Sequence, residues 1–166
     1  MIHFLSITLF PLLMIVAGAG DALAMRIPNW LTALIAIAFF PMALITGMPL
    51  AAFGLHVAVG FGFFAVGFTL FSLGLFGGGD AKLLAAAALW LGWPDLVTFL
   101  VMTAFAGGVL ALAVGVWSLV KINSEIKEGS LFKRFGAIKP NVPYGYAFAI
   151  GAILAFPQSW WMPVAG

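Results

Sequence analysis

Residues 73–90 read LGLFGGGDAKLLAAAALW. Gly77, Gly78 and Gly79 separate a long apolar run from an alanine-rich one. Asp80, the one acid in the stretch, follows them directly. Two apolar runs meeting at a flexible polar junction predict two membrane helices joined at a membrane surface, with Asp80 opening the second. The rest of the chain agrees. Of its 166 residues 64% are hydrophobic and 7% charged, and the mean hydropathy is +1.20. A soluble domain carries about 25% charged residues, so too few polar side chains remain here to cover a surface facing water, and an integral membrane protein is expected. A net charge of +2 gives no reason to expect a nucleic-acid partner. With no cysteine, disulfides and thiolate chemistry are excluded. His3 and His56 stand alone in apolar sequence and are expected to be structural, so neither a metal site nor a cofactor is expected.

A membrane-crossing helix needs about 20 mostly apolar residues. Working outward from the glycines, six spans are predicted, at about 4–20, 30–46, 50–76, 81–93, 96–120 and 144–161. TGMP (46–49) and GWPD (92–95) read as tight turns, and 121–140 is the one long polar segment. The N-terminal run resembles a signal peptide but lacks its positively charged start, and is read as a retained first helix. No internal repeat is visible. The fold expected is all-α: a polytopic membrane protein with one domain over 1–166.

The seven positive residues set the orientation. Arg26 follows the first span, Lys82 starts the fourth, and Lys121, Lys127, Lys133, Arg134 and Lys139 lie between the fifth and sixth. Threaded through six spans, all seven fall on one side. The positive-inside rule makes that side cytoplasmic, which puts 121–140 in a cytoplasmic loop and both termini outside.

On this map Asp21 closes the first span and Asp80 opens the fourth, at the same boundary. Asp80 has a plain structural reading as the N-cap of its helix, and so does Asp95 before LVTFL. Asp21 has no such reading, because the dipole at a helix C-terminus disfavours an anion by about 0.3–1 kcal/mol. Two carboxylates brought together cannot both ionise easily, so one keeps a proton. The pair then offers a base to activate water and an acid to protonate a carbonyl, as in an aspartic protease. The dipoles assign the proton to Asp21 and the charge to Asp80. The three glycines are expected to supply backbone freedom beside Asp80. In RIPN (26–29), Pro28 ends the connection and Asn29 is placed to cap the second span. Whether Arg26 or Asn29 also fixes Asp21 is left open by the residues. Lys82 is expected to point away from Asp80 and anchor at the headgroups, and Tyr144 to sit at the same interface. Glu125 and Glu128 read as a solvated loop or as an attractor for a basic partner.

Three segments carry a family resemblance. GGGDAKL (77–83) resembles the GxGD signature of membrane-embedded aspartyl proteases. GDALAMRIPNWLT (20–32) resembles the segment around the first aspartate of prepilin peptidases. VPYGYAFAIGAI (142–153), with Pro143, Tyr144 and Gly145, resembles the segment opening their last helix. The nearest likeness is to the short prepilin peptidases of Flp, or tight-adherence, pili. The resemblance implies an aspartic endopeptidase of the bacterial cytoplasmic membrane, without cofactor. It implies Asp21 and Asp80 as the catalytic pair, and prepilins or pseudopilins with a basic leader and an apolar helix as substrates. Membrane lipid surrounds such an enzyme. The cysteine-rich zinc-binding region of the larger prepilin peptidases is missing, which puts N-methylation in doubt. An archaeal preflagellin-processing relative is not separated by these motifs. The rival readings are a small proton-coupled transporter, which favours acids at the midplane and two related halves, and a pilus-assembly scaffold, which needs neither aspartate.

Overall fold

The computed structural model describes residues 2–125 and 144–162. Among these the regular structure is all helical: α1 (Ile2–Ala24), α2 (Asn29–Ile45), α3 (Leu50–Ser72), α4 (Gly78–Glu125), α5 (Tyr144–Ala155) and a final 3₁₀ turn (Phe156–Gln158). α4 is broken at Gly92 and Trp93, so its halves count as two of six helical segments. Three stretches are long and apolar enough to cross a membrane: Phe4–Ala24, Leu50–Ser72 and Asp95–Ser118; Asn29–Ile45 is apolar but shorter. Large exposed apolar side chains, among them Phe4, Leu12, Phe61, Phe105 and Trp117, cover the outside, as lipid contact requires.

Several helix ends differ from the expected ones. α1 runs on to Ala24, which places Asp21 inside its last turn instead of beyond it. α3 stops at Ser72, four residues early, because Gly74 takes a left-handed conformation (φ 71°). There the N–H of Leu75 reaches back to the Leu70 carbonyl at 2.9 Å and closes the helix. α5 ends at Ala155 because Pro157 tightens the following turn into 3₁₀ geometry. The polar segment is also shorter than 121–140, since α4 is helical through Glu125. Lys127, Glu128, Lys133, Arg134, Lys139 and Pro143 lie outside the described residues.

The first half of α4 is the centre of the fold. It lies against α2 and α3, while its second half lies against α5. Residues 83–91 are buried all round. The expected GWPD turn is a kink within one continuous helical run. Gly92 is left-handed (φ 66°), and a Cβ there would lie 2.6 Å from the His56 ring. Breaking a helix in an apolar interior strands carbonyl groups, and each must find a donor. The Trp90 carbonyl would ordinarily accept from residue 94, but Pro94 has no N–H. Trp161 donates its indole N–H instead, at 2.6 Å. The Leu89 carbonyl pairs with the His56 ring at 2.9 Å. Trp90 itself donates to the Ile35 carbonyl at 2.7 Å and stacks on Phe10 at 5.1 Å. His56 is therefore structural, held among Phe39 and Trp161.

Candidate active site

Asp80 is the third residue of α4. The N–H of Ala81 donates to the Gly77 carbonyl at 3.1 Å, so Gly77, not Asp80, is the N-cap. The Asp80 carboxylate folds back and accepts the backbone N–H of Gly77. This is the reach-back half of a capping box, made inside one helix end.

The glycines serve this arrangement differently from the expected hinge. Gly78 and Gly79 are helical and none of the three has a positive φ. Their use is close approach. A Cβ on Gly77 would lie 2.9 Å from the Asp80 Oδ2, and one on Gly79 would lie 3.1 Å from the Ile27 Cβ. Ile27 belongs to the connection after α1, so Gly79 lets the start of α4 close against that connection.

Asp21 is 6% exposed. Its own helix offers it nothing, as its position near a C-terminus predicts. Another helix supplies what is missing. The Gly145 N–H donates to the Asp21 Oδ2 at 2.8 Å, and the Tyr146 backbone N–H also bonds it. The first N–H groups of a helix have no partner within it and favour an anion, so Asp21 closes the amino end of α5 from outside. Gly145 is required by the fit. A Cβ there would lie 2.9 Å from both Cβ and Oδ2 of Asp21 and 2.7 Å from the Ile27 Cδ1. Just beyond, Met25 is the one non-glycine residue with positive φ among the described residues (52°), and its N–H donates to the Asp21 carbonyl at 2.8 Å. A left-handed methionine costs about 1–2 kcal/mol, and it turns the chain sharply from α1 into Arg26, Ile27 and Pro28.

The structure thus brings both aspartates to one end of the helix bundle, with Ile27 touching the glycines beside each. Asp80 feels the charge of Asp21. Burial first, and then the charge of Asp21, push the Asp80 carboxyl up to about 6, against a smaller opposite pull from the Gly77 N–H.

The supporting residues divide. Asn29 does not cap α2: the N-cap is Pro28, with no side-chain bond. Instead the Asn29 Oδ1 accepts from the Lys82 Nζ at 2.9 Å, tying the start of α2 to the start of α4. Lys82 therefore points away from Asp80, as helical spacing demands, but has a protein partner. Arg26 is exposed and forms no ion pair with either aspartate. The Tyr144 ring stacks on Phe76 at 6.2 Å. Asp95 is buried in the first turn after the kink, and no backbone N–H bonds its side chain. An apolar groove of about 550 Å³ runs between α2, α3 and α4, with Asn29 and Lys82 as its polar end. Its α4 wall, Lys82, Ala85, Ala86 and Leu89, is the face opposite Asp80. Sequence reasoning missed Ile27 and the donor role of Gly145 and Tyr146; the only signal was the YGY (144–146) that opens α5.

No curated protein and no solved structure matches this chain. A model of the type IV leader peptidase family matches residues 8–112, a stretch that holds both aspartates and more than half the chain, and the chain belongs to that family.

Proposed function

We propose that this membrane protein is an aspartic endopeptidase of the GxGD type that removes the leader from prepilins or pseudopilins. Asp21 and Asp80 are its catalytic pair. The observation that carries this reading is that the two carboxylates lie at one end of the bundle, close enough for the charge of Asp21 to act on Asp80. With Asp80 held at about 6 partly by the Asp21 charge, the pair carries a single proton below about pH 6, and that form is still drawn on at mildly acidic to neutral pH.

Such a pair hydrolyses a peptide without metal or covalent intermediate. The ionised carboxylate takes a proton from water as its oxygen bonds to the carbonyl carbon. The protonated carboxyl gives its proton to the carbonyl oxygen. Collapse of the tetrahedral intermediate breaks the C–N bond, and the departing amine takes up a proton. The products are a leader ending in a carboxyl group and a mature chain with a free amine.

The positive residues support a cytoplasmic position for the site, in a bacterial inner membrane, with both chain termini on the far side. A basic leader then stays in the cytoplasm while the apolar helix behind it remains in the bilayer. The motif order supports the short Flp-type branch. Co-expression with a candidate prepilin tests the reading. Asp21→Asn and Asp80→Asn should each abolish leader cleavage at unchanged membrane levels, and full cleavage by either variant overturns the assignment. Labelling of single cysteines placed in 121–140 tests the orientation: reagents outside the cell should not reach them.

A further inference from the structure

The two aspartates are held by backbone donors of different origin. Asp80 uses Gly77 of its own helix end; Asp21 uses Gly145 and Tyr146, 124 and 125 positions further along the chain. We propose that the amino end of α5 is a positioning device, whose Gly145 and Tyr146 N–H groups hold Asp21 as the ionised, water-activating partner and leave the proton to Asp80. This rests on the two-carboxylate reading above and reverses the assignment drawn from the dipole of α1 alone.

Competing neighbours decide the order. Asp21 sits at the unfavourable end of α1 and at the favourable end of α5. The second wins, because the α5 donors are in direct contact at 2.8 Å, whereas a dipole acts diffusely over the last turn. Each backbone N–H bond favours the ionised form of a carboxyl group over its acid form, and Asp21 accepts two. Asp80 has one such bond and a charged neighbour.

The other ionisable groups nearby do not disturb this order. Arg26, on the connection after α1, is exposed and unpaired with either acid. Lys82 of α4 is engaged with Asn29. Of the α5 tyrosines, Tyr144 is stacked on Phe76, and the exposed Tyr146 offers Asp21 its backbone alone. Gly145 is then a positioning residue: it touches Asp21, and any side chain there would push the carboxylate off its donors.

Carboxyl titration by ¹³C NMR of aspartate-labelled protein in lipid nanodiscs tests this without substrate, so its failure is separable from failure of leader cleavage. Signals are assigned with the two Asp→Asn variants. In the wild type Asp21 should ionise at lower pH than Asp80. Gly145→Ala should move the Asp21 step up by about one pH unit, the size expected for loss of a charged hydrogen bond, and the acid limb of leader cleavage should move with it. Tyr146→Pro deletes the other N–H at a helix position where proline is accepted, and should act in the same direction. It decides the question if Gly145→Ala does not fold. Gly107→Ala, which would meet only the Ala147 Cβ at 3.6 Å, should leave both steps in place. Asp21 ionising above Asp80 in the wild type overturns the proposal, as does an unmoved Asp21 step in the variants that fold.

Discussion

The amino ends of α4 and α5 are built alike and used differently. Each presents unpaired N–H groups, and each receives a carboxylate. At α4 the acid is local: Asp80, three residues past Gly77, closes its own helix and gains a modest cap. At α5 the acid arrives from α1, so that one hydrogen bond both closes a helix and locks two distant segments together. The difference teaches that a capping residue need not be near its helix in sequence. It also shows that two chemically identical side chains at one end of a bundle can be given different sets of backbone donors.

The comparison breaks most visibly in stability. Asp21→Ala strands the N–H groups of the buried Gly145 and of Tyr146, at a cost of about 1–3 kcal/mol, and should lower the thermal midpoint in detergent by several degrees. Asp80→Ala loses a single capping arm but also removes a partly buried charge beside Asp21, so its midpoint at neutral pH should change little or rise. Equal losses in the two variants would contradict the unequal roles.

A smaller effect lies in the pH dependence. The folded chain holds the Asp80 proton up to about 6, above the usual carboxylate value of 3.8, so it binds more protons than the unfolded chain across that window. Stability contributed by Asp80 should therefore fall as pH rises from about 4 to about 6 and be flat above. Asp80→Asn should remove that fall, read as thermal midpoint against pH. A fall of the same size in Asp80→Asn would assign it elsewhere. The smallest effect belongs to Lys82→Met, which breaks an exposed bond to Asn29; such bonds contribute under about 1 kcal/mol, and leader cleavage should be retained.

Much of this architecture is legible in the residues. Hydropathy separates most of the helices, and the expected threading puts Asp21 and Asp80 at one end of the bundle, where they lie. What remains hidden is pairwise. Nothing near Asp21 announces that its partners lie at 145 and 146, because backbone donors leave no side-chain signature. The glycines of GGGD suggest freedom when read locally. Their use becomes evident from Ile27 against Gly79 and the Asp80 carboxylate against Gly77. The same holds at the kink. Pro94 predicts a stranded carbonyl, but not that Trp161, 71 positions beyond Trp90, is the residue that satisfies it.

Whether Asp21 and Asp80 form one catalytic unit is tested most directly by leader cleavage with purified protein in nanodiscs. Asp21→Asn, Asp80→Asn and the double variant would be compared against a prepilin. Residues that act as a unit are non-additive. Each single variant should lose activity by about 10²–10⁴-fold, the range for a positioned acid or base, and the double variant should lose little more. Losses that multiply in the double variant would contradict a single unit.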